Sequence, residues 1–309
     1  MVLHLSPIIP FAFGPILGPV ASIHNKSTQQ RAIAALILCD ILPFTPLTLP
    51  APRLFGHNGA MSESIPLPEF PAGHVWLCGA GPGDAGLLTL HALNAIKQAD
   101  VIVHDALISA DILGLADAGA ERIYAGKRGG QSDSQGGISQ QLVDLAKAGK
   151  RVLRLKGGDP FMFGRGAEEA QILAAHGIKF RVISGITAGI GGLAAAGIAV
   201  THRDVNTAVT FVTGHDETTD WSAISKASPV IVIYMGLKNA GRIAQAIMAA
   251  GRKTNEPVAV VTDASLPGQK VLETTLGALQ ADLAKTPMTP PAIICIGGTV
   301  ALRHILRQV

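Results

Sequence analysis

The residues best suited to chemistry are concentrated in one stretch, Arg154-Leu155-Lys156-Gly157-Gly158-Asp159-Pro160-Phe161-Met162-Phe163-Gly164-Arg165-Gly166. It follows an apolar run at 152–155, which predicts a strand whose carboxyl end opens into a glycine pair, where backbone can approach a ligand closely. Asp159 then stands at the strand mouth, and Pro160 fixes the chain directly after it. Phe161 and Phe163 flank Met162 as an apolar wall. Glycines, a carboxylate and aromatics at the end of a strand suit small-molecule binding in an open α/β sheet. The same aspartate would equally serve as a helix cap.

Other stretches bear on that choice. The loop at 79–86, Gly-Ala-Gly-Pro-Gly-Asp-Ala-Gly, resembles a dinucleotide fingerprint only approximately. Pro82 removes an N–H that a pyrophosphate would use, and Asp84 puts negative charge at the helix start. Asp84 reads as the N-cap of a helix over 87–98, with Gly81 and Pro82 forming a floor suited to an uncharged or cationic ligand such as a sulfonium. Asp105 follows a strand-like Val-Ile-Val-His and is either a cap or a general base. Lys127 and Arg128 also follow a strand. With Arg154, Lys156, Arg165, His202 and Arg203, they would form a basic cluster along one edge of a parallel sheet, suited to a polycarboxylate or phosphate. His176, His202 and His215 lack metal-site spacing and read as hydrogen-bonded loop residues. Met235 is either core or pocket lining. Thr187 and Ala188 would set a hydroxyl and a small side chain beside a cofactor.

Positioning these groups requires alternating strands and helices. Strands are expected at 74–78, 101–103, 122–125, 151–155 and 180–183, with helices at 87–98, 108–116, 138–148 and 167–175, giving a mostly parallel sheet. A hinge over 184–192 leads to a second half with strands at 208–213, 230–235, 257–262, 270–275 and 292–296 and mixed pairing. The fold class is α/β in two domains, 71–184 and 185–309. Residues 1–70 are rich in proline and lack alternation, and they read as a poorly ordered extension with Met61 as a plausible working start. The apolar run at 32–42 is too short to span a membrane.

The chain has 309 residues, 48% of them hydrophobic, enough for a sizeable core. Of its net charge of +3, residues 1–60 contribute +2 through Lys26, Arg31 and Arg53 against Asp40. The remainder is nearly neutral, so no global field favours nucleic acid. Cys39, Cys78 and Cys295 have neither metal-ligand nor redox spacing, which suits a reducing cytoplasm.

The ordered series GAGPGD, VHDAL, GKR, RLKGGDPFMFGRG, GITAG, THR, TGH and YMGL resembles the uroporphyrinogen-III C-methyltransferases over about residues 73–305. The resemblance implies a tetrapyrrole methylase fold with S-adenosylmethionine between two α/β domains, no metal, and a cytoplasmic homodimer. It implies methylation of uroporphyrinogen III at C-2 and C-7, by way of precorrin-1 to precorrin-2, feeding sirohaem and cobalamin synthesis. It assigns Pro82, Gly157, Gly158, Asp159, Met162, Thr187, Ala188, Met235 and Ala264 to the cofactor, Asp105 to proton acceptance and Lys127 to proton donation. Cations for the substrate carboxylates are sought in Arg128, Arg154, Arg165 and Arg203. The chain departs from the family at Ala106, where arginine is frequent, at Ser184, where proline is common, and at 132–135. Competing expectations are another precorrin methyltransferase, a nicotinamide-dependent oxidoreductase using the 79–86 loop, and a non-catalytic tetrapyrrole-binding protein.

Overall fold

Five short strands of four or five residues build the first sheet: β1 (Val75–Gly79), β2 (Val101–His104), β3 (Glu121–Tyr124), β4 (Val152–Lys156) and β5 (Phe180–Ile183). The computed structural model describes residues 65–125 and 135–306, and the described residues belong to one unit. All pairings in this sheet are parallel, in the order β3-β2-β4-β1-β5. Its connections include α1 (Leu90–Gln98), α2 (Ala110–Leu113), α3 (Gln135–Lys147) and α4 (Gly166–Ala175). Period-two alternation sends Trp76, Cys78, Ile102 and Leu153 to one face, under Ala92 and Ile96 of α1. It sends Val75, Leu77, Val103 and Val152 to the other, under Leu142 of α3 and Leu173 of α4. Because β1 lies beside β4, the chain reverses its direction of winding there. That switch point is where open α/β sheets leave a crevice at the carboxyl edge.

A π-helical turn, Ala188–Gly192, and the short α5 (Leu193–Ala195) lead into the second sheet. Its strands are β6 (Val209–Thr213), β7 (Val230–Tyr234), β8 (Pro257–Thr262), β9 (Lys270–Thr275) and β10 (Ala292–Ile296), in the order β6-β7-β10-β8-β9. β6 and β7 are parallel, whereas β10 runs antiparallel to both β7 and β8. The carboxyl ends of β6, β7 and β8 therefore share one edge. Helices α6 (Trp221–Ala227), α7 (Ala240–Ala249), α8 (Leu279–Lys285) and α9 (Arg303–Leu306) complete this half. The expected parallel first sheet and mixed second sheet both appear.

Three local expectations are corrected. The first long helix begins at Leu90, not at 87: Thr89 caps it by accepting from Ala92 N at 3.0 Å, while Asp84 instead caps a 3-10 turn over Ala85–Leu87. The extended backbone of Leu88 separates the two turns. The helix expected over 108–116 is only the single turn of α2, and α6 and α8, of seven residues each, were not foreseen. Packing also reaches back before 71. Phe70 is buried and stacked on Trp76 at 4.0 Å, and its N–H donates to Gln98 Oε1 at 2.9 Å. Of the extension expected at 1–70, residues 1–64 lie outside the described residues. Among the described residues no helix is long and apolar enough to cross a membrane.

Candidate active site

The site begins where β1, β4 and β5 end together. Gly81 and Gly158 exchange backbone hydrogen bonds of 3.2 and 2.7 Å, and Ala80 N donates to Lys156 O at 2.8 Å. A methyl group added at Gly79 would lie 2.6 Å from Gly185 Cα, and one at Gly185 would strike the Gly158 carbonyl. The three segments thus touch backbone to backbone, which only glycine permits. Asp159 locks this junction. Its Oδ1 accepts from Phe161 N at 2.8 Å and its Oδ2 from Gly185 N at 3.0 Å. The cap reading is excluded, because α4 begins at Gly166 after a left-handed Arg165 (φ 58°) with no side-chain cap. An ionised carboxylate has about four acceptor positions, so both oxygens of this half-buried group retain capacity for a ligand.

The second half supplies the opposite wall. Tyr234, the last residue of β7, places its hydroxyl 2.7 Å from Thr187 Oγ1 and accepts from Gly189 N at 2.8 Å. Its ring meets Phe163 at 4.9 Å. Burial raises the phenol pKa above its ordinary value and the Asp159 charge adds to the rise, while the bonds from Thr187 and Gly189 oppose it. The tyrosine is therefore a neutral rivet joining the 159–163 loop, the hinge and β7. From β8, Ser265 Oγ accepts from Asp84 N at 3.1 Å, and Leu266 packs where a Gly83 side chain would stand. Ala264 packs against Gly192. Five described non-glycine residues have positive φ: Phe163, Arg165, Met235, Asp263 and Ser265. All lie in loops after β4, β7 or β8, and each such conformation costs about 1–3 kcal/mol. A cavity of about 320 Å³ opens between these loops, lined by Phe161, Phe163, Arg165, Glu168, Thr213 and Met235.

The expected cofactor residues converge on this region. Pro82 lies near Gly191. Gly157 faces Leu107 and Gly158 faces Thr187. Met162, Ala188 and Ala264 pack on the core of the second sheet. Met235 is 53% exposed at the cavity mouth. Asp105 is half-buried after β2, with Oδ1 accepting from Leu107 N at 3.0 Å; Ser109, not Asp105, caps α2. Lys127 and Arg128 lie outside the described residues.

The expected basic cluster divides in two. Arg154, sought as a substrate cation, is 3% exposed, and its guanidinium binds Glu169 Oε1 at 3.1 Å and the Val103 carbonyl at 3.3 Å. It is a structural residue, because β4 is central in the sheet and the face that carries Val152, Arg154 and Lys156 lies under α4. Lys156 shares that burial and that carboxylate. Arg165 does face the cavity, 60% exposed in its side chain and 3.4 Å from Glu168. Arg203 is exposed in the turn closed by His202 and Asn206, away from the cavity lining. The Cys78 and Cys295 thiols are buried and pushed up to about 12, which makes them unreactive as nucleophiles. No cluster of metal ligands occurs among the described residues. Sequence reasoning overlooked Tyr234 and Glu169. Tyr234 stands directly before Met235, so a polar end on an apolar strand was the available signal; Glu169 gave none.

Two apposed sheets whose glycine-rich carboxyl edges meet around one pocket define a class of protein. The family model for Tetrapyrrole (Corrin/Porphyrin) Methylases matches residues 74–280, and the chain belongs to that family. Within it, the chain is 58% identical over 247 residues to a uroporphyrinogen-III C-methyltransferase of Sinorhizobium sp, covering 78% of this chain and 88% of the relative. It is 48% identical over 237 residues to siroheme synthase 1 of Yersinia pseudotuberculosis serotype I, covering 75% of this chain and only half of that longer relative. A solved uroporphyrin-III C-methyl transferase from Thermus thermophilus, complexed with S-adenyl homocysteine, superimposes with a TM-score of 0.66 at 35% identity. That match covers 74% of this chain and 99% of the other.

Proposed function

We propose that this chain is an S-adenosylmethionine-dependent C-methyltransferase that converts uroporphyrinogen III to precorrin-2 by successive methylation at C-2 and C-7, by way of precorrin-1. The observation that carries the reading is the glycine junction of β1, β4 and β5 facing Tyr234 and Thr187. It is a close-approach cradle without the charge a diphosphate needs, on a chain 58% identical to a uroporphyrinogen-III C-methyltransferase. Added methyl groups at Gly79, Gly185 and Gly189 would strike the Gly158 carbonyl, Gly79 and the Tyr234 hydroxyl, so the floor is held by close backbone contact. When bound, S-adenosylmethionine supplies an electrophilic methyl group on a sulfonium. Gly157, Gly158, Asp159, Met162, Thr187, Ala188, Met235, Ala264 and Pro82 would hold it.

The protein's own contributions are orientation, exclusion of water and movement of a proton. Clamping two reactants in one cleft removes orientational freedom from the reaction. Phe161, Phe163 and Met235 form an apolar wall against which a macrocycle can lie. Asp105, half-buried at the end of β2, accepts the proton lost from the methylated ring. Arg165 offers a planar fork to a substrate carboxylate, with Arg203 and Arg128 as further substrate cations and Lys127 as proton donor. The same reading makes the protein a cytoplasmic homodimer serving sirohaem or cobalamin synthesis.

The division of roles is tested by paired variants. Asp159→Ala removes the lock on Gly185 N and should abolish S-adenosylhomocysteine binding in calorimetry. Asp105→Ala should leave that binding within about twofold while slowing turnover by the 10²–10⁴-fold typical of a lost general base. The reverse pattern would refute the assignment.

A further inference from the structure

β4 carries two cations where a central parallel strand ordinarily carries apolar side chains. Arg154 and Lys156 are two residues apart, so they share one face of the sheet. They are 3% and 4% exposed, and both bind the same atom, Glu169 Oε1 of α4, at 3.1 Å. The Arg154 bond already ties strand to helix, and its guanidinium also donates to the carbonyls of Val103 and Leu155 at 3.3 and 3.4 Å. Lys156 adds a second buried cation to a carboxylate already paired. Its chain runs beneath the 157–164 loop, with Cε 3.5 Å from where a Gly164 side chain would begin.

Arg154 and Lys156 thus set two basic groups against one buried carboxylate. Burying an ion without full compensation costs several kcal/mol, so a further carboxylate nearby would steady the pair. Among the described residues, the charged groups acting on Lys156 are Arg154, Glu169 and Asp105. Asp105 stands just past the end of β2, the strand paired directly with β4, where His104 lies opposite Leu155. Burial, then Arg154, lowers the Lys156 pKa, and Glu169 and Asp105 pull it back up.

We propose that Lys156 is a positioning residue for Asp105: held from below by Glu169, its ammonium draws the Asp105 carboxylate toward the floor of the cleft, where that carboxylate meets the proton it accepts. The proposal rests on reading Asp105 as the proton acceptor. A purely structural staple between β4 and α4 would not involve Asp105 at all.

The test is a double-mutant cycle on the full chain, with Lys156→Met, Asp105→Asn and the double variant. Turnover of uroporphyrinogen III is measured alongside S-adenosylhomocysteine affinity and thermal melting. Lys156→Met should lower kcat by roughly tenfold, within the coupling range of neighbouring groups, leave the affinity within about twofold, and cause no further loss in the Asp105→Asn background. Lys156→Arg should recover part of the rate. Equal losses in both backgrounds, an unchanged kcat, or a fall in affinity matching the fall in rate would each overturn the proposal. Full turnover by Asp105→Asn would instead refute the reading of Asp105 and take the proposal with it. If Lys156→Met does not fold, Lys156→Gln carries the same comparison, and failure of both to fold would assign Lys156 to the scaffold.

Discussion

Replacing Tyr234 by phenylalanine removes one oxygen atom and leaves the ring against Phe163 at 4.9 Å. That oxygen accepts from Gly189 N at 2.8 Å and pairs with Thr187 Oγ1 at 2.7 Å, in a place where Thr187 is 8% exposed and Gly189 is buried. A buried donor left without a partner costs about 1–3 kcal/mol, and each lost hydrogen bond about 0.5–1.5 kcal/mol. Neither neighbour gains ready access to water, so a loss of about 3 kcal/mol is expected. For a folded unit of this size, that lowers Tm by roughly 6–12 °C. The residues released, Thr187 to Gly189, form one wall of the proposed cofactor site, so S-adenosylhomocysteine affinity should weaken by about tenfold. Differential scanning calorimetry gives the first quantity and titration calorimetry the second. A Tm within about 2 °C of the parent together with unchanged affinity would show that Tyr234 does not join the two halves of the site.

Gly185→Ala should be more severe, since the new methyl group meets the Gly158 carbonyl and Gly79 and no flexible side chain can move aside. S-adenosylhomocysteine binding should be lost, and binding at the parent affinity would refute the backbone-contact argument. Arg154→Met should destabilise the fold without a selective rise in KM for the tetrapyrrole, whereas Arg165→Ala should raise KM with little change in Tm; steady-state kinetics and melting separate the two. The Arg151 hydrogen bond holds the Asp100 carboxyl below the usual range, offset in part by desolvation. With the folded pKa depressed, its stabilisation is present above the unfolded value of about 3.9 and is lost as pH falls through the lower folded value. The stability gap between the parent and Asp100→Asn should therefore shrink below about pH 4, and a gap that widens on acidification would contradict the sign.

The alternation of strands with helices was legible in the sequence because β1 and β2 are short apolar runs and β1, β3, β4 and β5 each lead into a turn with a glycine. The glycine junction was legible for a related reason: Gly157 and Gly158, and the 79–86 loop, leave few alternatives to close approach. What escaped was pairing at a distance. Arg154 and Arg165 look alike in the chain, yet one lies under α4 and the other on the rim, because sheet register and the position of Glu169 decide which face each side chain takes. Asp84 was misassigned because Thr89, five residues on, also has capping chemistry, and only the extended backbone at Leu88 shows which one starts the long helix. The short helices α6 and α8 present too few turns for a periodic signal. Tyr234 was passed over because its role depends on the hinge folding back across β7, a contact 47 residues apart in sequence.

The central claim is methyl transfer to a specific tetrapyrrole, and it is tested by anaerobic incubation of the full chain with uroporphyrinogen III and methyl-labelled S-adenosylmethionine, followed by mass analysis of the product. The account predicts a monomethylated species that appears first and is converted to a dimethylated product, with two labelled methyl groups on carbon. An enzyme that binds S-adenosylhomocysteine but transfers no label to uroporphyrinogen III, while a known methyltransferase does so alongside it, would contradict the account.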